Sequence, residues 1–251
     1  MITNYYRPET LAEALELLKQ PDALPLGGGT LLSQLKSVST KAVDLQALGL
    51  NTLKKSGNNL EIGATVTLQQ LLESKHASDS LKIAIKLEAP LNIRNTATVA
   101  GTLIATDGRS TFTTALLALD AKLTLQPDDE SVEIGNFLPL RGNKMPGKLI
   151  TAITIPLNAK LAFETVARTP ADKPIVCVAL AQWPSGRTRL ALGGYGKAPL
   201  LAMDGTESEG LDAAARNAYH EAADNFGSAE YRMDMAATLA KRCFEKMTSD
   251  K

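Results

Sequence analysis

Two short stretches of this chain carry residue types suited to binding chemistry. The first is Leu26-Gly27-Gly28-Gly29-Thr30-Leu31. Glycines let backbone approach a phosphate closely, and a following helix start presents unpaired N–H groups to anionic oxygens, so this turn could cradle a dinucleotide pyrophosphate. It matches neither GxGxxG nor the lysine-ending phosphate loop, and taken alone a tight turn is the plainer reading. The second stretch runs from Asn95 to Thr111. Here Asn95, Thr96, Thr98, Thr102, Thr106, Asp107, Ser110 and Thr111 offer short hydrogen-bonding side chains around Val99, Gly101 and Gly108. Such groups suit sugar-alcohol and phosphate oxygens. The same groups would serve equally to satisfy their own backbone through turns and caps.

Elsewhere the chain lacks an acid–base set. His76 and His220 stand alone, and Cys177 and Cys243 are too far apart for a CxxC pair. That pattern argues against a zinc constellation, a Ser–His–Asp hydrolase and iron–sulfur ligation by this chain. No catalytic or metal-ligating residue is therefore expected. Cys177, in an apolar stretch, reads as an inert core thiol, and Asp44 as a turn or cap residue. Arg168 and Asp172 read as a structural ion pair or docking contacts, and Trp183 and Tyr195 as packing residues.

The elements that must position these stretches follow from hydrophobic spacing. Leu11, Leu15 and Leu18 predict an amphipathic helix started by Thr10 and ended by Pro21. A short strand over 23–26 then runs into the glycine turn, followed by helical spacing at Leu31, Leu32 and Leu35. Strands are expected over 41–45 and 60–64, a helix capped by Thr67 over 67–74, and another over 80–88 closed by Pro90. Residues 93–102 read as an ordered loop. A helix over 110–119, a strand over 121–125 and a polar turn over 126–130 come next. The alternating run 149–155 reads as a half-buried strand stopped by Pro156, with the main domain boundary just after it. Strands over 163–168, 175–182 and 188–193 predict a small antiparallel sheet, and from Leu211 two helical segments meet near Asn225-Phe226-Gly227.

Composition sets the broad class. In 251 residues with 44% hydrophobic and 22% charged content, a packed globular protein is expected. Lys plus Arg and Asp plus Glu are both 27, so no net field gathers nucleic acid or an anionic membrane. The start lacks a signal-like pattern, and no window approaches ~18 uninterrupted apolar residues. The expectation is a cytoplasmic protein with no nucleic-acid partner and no integral membrane segment.

The joint order of several motifs carries a family resemblance across almost the whole chain. Tyr6-Arg7-Pro8 and its helix, Leu26 to Thr30, Val43-Asp44-Leu45, Ile62 to Thr67, and Ile93-Arg94-Asn95 through Gly101 resemble the FAD-binding domain of molybdopterin dehydrogenases. Leu116 to Ala121, Phe163 to Ala181, Leu192-Gly193-Gly194 through Pro199, and Tyr231-Arg232 are similar to later parts of that family. The resemblance implies an α+β (α/β) fold: FAD-binding subdomains over 1–55 and 56–157, and a C-terminal sheet-plus-helices domain over 158–251. It implies FAD as cofactor, with the glycine turn and the 98–102 loop holding the pyrophosphate. It also implies partners: a large molybdenum-cofactor subunit, a small subunit with [2Fe–2S] clusters, and a dimer of such heterotrimers.

Departures from the family pattern fall on polar positions. Its second loop usually reads TIGGN and then D-P-x-S-D, whereas here it reads Thr98-Val99-Ala100-Gly101-Thr102 and Asp107-Gly108-Arg109-Ser110-Thr111. An Asn and an Asp have become Thr102 and Thr111, and Leu31 stands where the family is often polar. Three readings follow: an electron-relay FAD subunit, a degenerate scaffold subunit binding FAD weakly or not at all, and an FAD enzyme acting alone on its own substrate.

Overall fold

The computed structural model describes residues 2–34, 39–141, 145, 147–169 and 171–249. These divide into two compact units that interleave along the chain. The first comprises Met1–Ser74, Pro90–Ala105 and Lys122–Ile155, and the second Lys75–Ala89, Thr106–Ala121 and Pro156–Lys251.

The first unit opens with strand β1 (Ile2–Tyr6), helix α1 (Leu11–Leu18), β2 (Ala23–Leu26) and β3 (Thr40–Asp44). They form a parallel three-stranded sheet in the order β1-β3-β2. Thr10 caps α1 by accepting from Glu13 N. The apolar stripe of α1, Ala14, Leu15 and Leu18, packs on Val43, Leu45 and Leu149. β1 escapes sequence reading because its residues are largely exposed, which leaves no burial alternation to detect.

The second sheet of this unit has the order β4-β5-β8-β6-β7. Its strands are β4 (Leu53–Ser56), β5 (Asn59–Gly63), β6 (Lys122–Gln126), β7 (Glu130–Glu133) and β8 (Leu149–Pro156). Leu60, Ile62, Leu123, Leu125 and Ile153 are buried in it. Helix α2 (Leu68–Glu73) starts at a capping box in which Thr67 and Gln70 satisfy each other's backbone N–H. Two short helices follow, α4 (Leu91–Arg94) and α5 (Val99–Ala105), and α7 (Ile134–Phe137) lies after β7. The loop expected over 93–102 is thus corrected: its second half is helical, because Thr98 Oγ1 accepts from Gly101 N at 3.1 Å and starts the turn. After the glycine turn the described chain forms a 3₁₀ turn at Leu32–Gln34 in place of the expected α-helix, and Leu35 lies outside the described residues.

In the second unit an antiparallel sheet has the order β12-β11-β10-β9. Its strands are β9 (Lys160–Val166), β10 (Val176–Gln182), β11 (Thr188–Gly193) and β12 (Leu200–Gly205). Strand β10 alternates large and small residues, so its two faces differ. Val176, Val178 and Leu180 join the core made with α8 (Leu211–Ala218) and α9 (Ala229–Ser249). Cys177 turns the other way and reaches Thr114 Oγ1 on α6 (Thr111–Ala118), a helix whose every residue is buried. Helix α3 (Asp79–Glu88) completes the unit.

Arg232 is fully buried at the start of α9 and donates to the carbonyls of Ile175, Ala222 and Gly227 and to Asp224. One side chain thus ties the turn before α9 to the sheet. Burial pushes both thiols, Cys177 and Cys243, up to about 12, in keeping with a packing role.

Candidate functional site

The glycine turn leaves β2 and meets the second polar stretch directly. A Cβ at Gly28 would lie 1.6 Å from Thr96 O, closer than any real contact, so only glycine lets these two backbones touch. On either side sits Thr98, 6% exposed. Cβ atoms at Gly27 and Gly101 would stand 3.0 and 2.8 Å from its Oγ1. Thr98 is therefore the wedge on which the two turns close.

The segment 62–67 holds that wedge. Leu68 N donates to Ala97 O at 2.9 Å, Val99 N to Val66 O at 2.9 Å, and Thr67 bridges Thr98. Asp44 lies at the end of β3, where its carboxylate accepts from Gln46 N and from the Tyr5 hydroxyl. It is a turn residue, as its type suggested.

Beside the closed turns lies a cavity of about 150 Å³. Gly27, Gly28, Gly29, Thr30 and Leu31 form one wall, and Thr98, Ala100 and Gly101 another. Leu24 and Pro25 of β2 and Leu149 and Ile150 of β8 add apolar surface, and Thr65 adds a hydroxyl. Sequence reading missed these contributors. Thr65 stands in a motif that was noticed for its order, whereas Leu149 and Ile150 look like any core strand residues.

Among the described residues no Lys or Arg lines the cavity. An anionic ligand there would be met by backbone N–H groups and short hydroxyls. That donor set fits the pyrophosphate end of a dinucleotide, which a glycine-rich backbone can approach without side-chain interference.

The remaining expected residues divide sharply. Leu26 is the last residue of β2, and its carbonyl accepts from Leu45 N at 3.0 Å. Asn95 is exposed at the end of α4, and Val99 is buried at the start of α5. Thr102, 8% exposed, turns its hydroxyl onto Thr98 O at 2.8 Å and is not among the lining residues of the cavity. Leu31 is an apolar group 42% exposed on the cavity wall.

Asp107, Ser110 and Thr111 belong to the second unit. Asp107 accepts from Arg109 N at 2.9 Å. Ser110 caps α6 and donates to Glu88 Oε2 at 2.7 Å. Thr111, 1% exposed, donates to Ala84 O at 2.7 Å. Ser110 and Thr111 thus turn their hydroxyls to Glu88 and to Ala84 O within the second unit. Glu88, which also accepts from Phe112 N at 2.9 Å, already fills the anion position at the start of α6.

Glu88 was not foreseen at all. Burial raises its carboxyl pKa, while the donors from Phe112 and Ser110 pull it down in part. Its only signal in the sequence is a carboxylate at the end of a helix, too common to mark it. Tyr195 and Trp183 are half-buried, and Arg168 stands over the Phe226 ring instead of pairing with Asp172.

The chain is similar to known proteins over nearly its whole length. The medium chain of glyceraldehyde dehydrogenase from Sulfolobus acidocaldarius is 25% identical, over 97% of this chain and 98% of its own. The carbon monoxide dehydrogenase medium chain of Afipia carboxidovorans is 28% identical, over 97% and 96%. The solved structure of reconstituted CO dehydrogenase from Oligotropha carboxidovorans superposes with a TM-score of 0.79 at 27% identity, covering 96% of each chain. Residues 1–158, which contain the glycine turn, the Thr98 wedge and the cavity wall, match the family described as the FAD binding domain in molybdopterin dehydrogenase, and the chain belongs to that family.

Proposed function

We propose that this chain is the FAD-binding subunit of a molybdenum hydroxylase complex, and that it relays electrons from a partner's [2Fe–2S] clusters to an external acceptor. The observation that carries the reading is the closure of Gly27–Gly29 on Thr96–Thr98 beside an apolar cavity. In this role the residues of the chain bind and orient. Gly27 to Thr30 and the Thr98–Gly101 turn hold the pyrophosphate through backbone and hydroxyl donors, and the apolar wall of Leu24, Leu149 and Ile150 excludes water from the cavity. Bound FAD supplies the acceptance and onward delivery of electrons, which no side chain here could perform. No substrate site of its own is required, and no side chain is assigned a catalytic role.

The partners that fit this reading are a large molybdenum-cofactor subunit and a small [2Fe–2S] subunit, in a dimer of heterotrimers in the cytoplasm. Among the described residues no helix is long and apolar enough to cross a membrane, which is consistent with that setting. A second reading, a scaffold subunit with weak FAD binding, is favoured by the inward hydroxyl of Thr102 and by Leu31 at the cavity wall.

The test is an absorption spectrum and fluorescence titration of the purified chain with FAD. A dithionite-bleachable bound flavin with submicromolar affinity supports the relay. A folded chain that binds no flavin, alone and in its assembled complex, sinks it and leaves the scaffold.

A further inference from the structure

The second unit carries a further side-chain cluster, around Phe226, whose residues are not among those lining the cavity described above. Phe226 is 47% exposed, yet its position is set. Asp224 Oδ1 accepts from Phe226 N at 2.7 Å, and the guanidinium carbon of Arg109 lies 3.5 Å from the ring centroid. The guanidinium of Arg168 stands over the same ring at 5.5 Å. Tyr231, also exposed, lies beside Gly227 at the next turn of chain.

The ion pairs of this cluster leave Arg168 out. Asp224 is held by the buried Arg232 at 2.7 Å and only then by Arg109 at 3.4 Å. Asp107 takes Lys173 at 3.6 Å. Among the described residues Arg168 pairs with no carboxylate and stands over the Phe226 ring. Asp172 is exposed, and its backbone N donates to Thr169 O at 3.1 Å.

A guanidinium stacked on a fixed ring loses little further freedom when its planar fork engages a carboxylate. A lone solvated arginine would lose more. Exposed Phe, Tyr and Arg are also residue types that concentrate binding energy at protein interfaces. Small molecules favour enclosed pockets that cover most of their surface, whereas here the ring and the guanidinium both stay half open.

We propose that Arg168, Phe226 and Tyr231, with Arg109 and Lys173 beside them, form a docking surface for a carboxylate-bearing segment of a partner protein. A Glu or Asp of that segment takes the fork of Arg168, and a neighbouring apolar side chain covers Phe226 and Tyr231. The inference goes beyond the flavin reading and does not depend on it.

The experiment measures anisotropy of a fluorescein-labelled peptide of alternating Glu and Leu, titrated with the full chain in the presence of FAD. A peptide with Lys in place of Glu is the control. The Glu peptide binds, the Lys peptide does not, and added salt weakens the complex. Arg168→Gln and Phe226→Leu each weaken binding about tenfold, as loss of a charge-assisted contact or a ring contact at an interface would. Lys122→Gln, an exposed lysine in the first unit, leaves it unchanged. Absence of binding, or equal affinity in wild type and Arg168→Gln, overturns the proposal. Displacement of the peptide by micromolar inorganic pyrophosphate also overturns it, by assigning the surface to small oxyanions. The substituted side chains lie at the surface, so circular dichroism should match the wild type and keep the comparison clean.

Discussion

At the scale of single residues, the candidate site turns on Gly28, Thr98 and Thr102. Alanine at Gly28 would place a methyl carbon 1.6 Å from Thr96 O, so the two turns must part and the cavity wall with them. Gly28→Ala is expected to weaken FAD binding by about a hundredfold, equivalent to roughly 3 kcal/mol. Thr102 points back to Thr98 O; an Asn there, as the family usually has, would offer an amide instead of a hydroxyl tied to its own helix. Because Thr102 lies off the cavity lining, Thr102→Asn should change FAD affinity less than about threefold, short of one full polar contact of about 0.5–1.5 kcal/mol. The same fluorescence titration reads both variants. An unchanged Gly28→Ala affinity would remove the glycine turn from the site.

At the scale of elements, the junction of α3 and α6 is the clearest case of one element completing another. The last residue of α3, Glu88, accepts from Ser110, Thr111 and Phe112 at the start of α6. Its carboxyl is raised above the ordinary 4.5, chiefly by burial. A carboxyl with a raised folded pKa lends its full stability below the unfolded value and loses it as pH climbs through the folded one. Relative to Glu88→Gln, which stays neutral, the wild type should therefore weaken progressively as pH rises from about 4.5 towards neutrality. Urea unfolding of both proteins across that interval measures the difference. A gap that stays flat, or that opens in the wild type's favour, contradicts the assignment.

At the scale of the whole molecule, the interleaving of the two units matters more than their sizes. Residues 1–158 match one family domain, yet within them 75–89 and 106–121 belong with the second unit. Every residue of α6 is buried, and Cys177 of β10 and Arg189 of β11 hydrogen-bond to it. A fragment ending at residue 158 would expose that helix to water. It should aggregate or stay partly unfolded, in contrast to the full chain, when compared by circular dichroism and size-exclusion chromatography. A soluble, cooperatively melting fragment would show that α6 needs no sheet.

Much of this molecule was already written in local pattern. The spacing of Leu11, Leu15 and Leu18 specified α1 because helix periodicity is a property of neighbours, and Gly27 to Thr30 marked a candidate binding turn because glycine's freedom is intrinsic to the residue. Thr98 and Gly101 were legible as candidates for the same reason, although their short helix was not, since it depends on a single hydroxyl cap. What local pattern could not carry was every statement about partners distant in sequence. Whether a Thr hydroxyl faces a cavity or its own helix, as at Thr102, depends on which neighbours leave it an acceptor. The hydroxyls of Ser110 and Thr111 are legible as hydrogen-bonding groups, but that Glu88 and Ala84 O, more than twenty residues earlier, accept from them is not. Residue chemistry and short-range spacing were determined by the sequence alone; which of those groups face a ligand and which face one another was decided only by the tertiary structure, because long-range packing sets where each buried donor finds its acceptor.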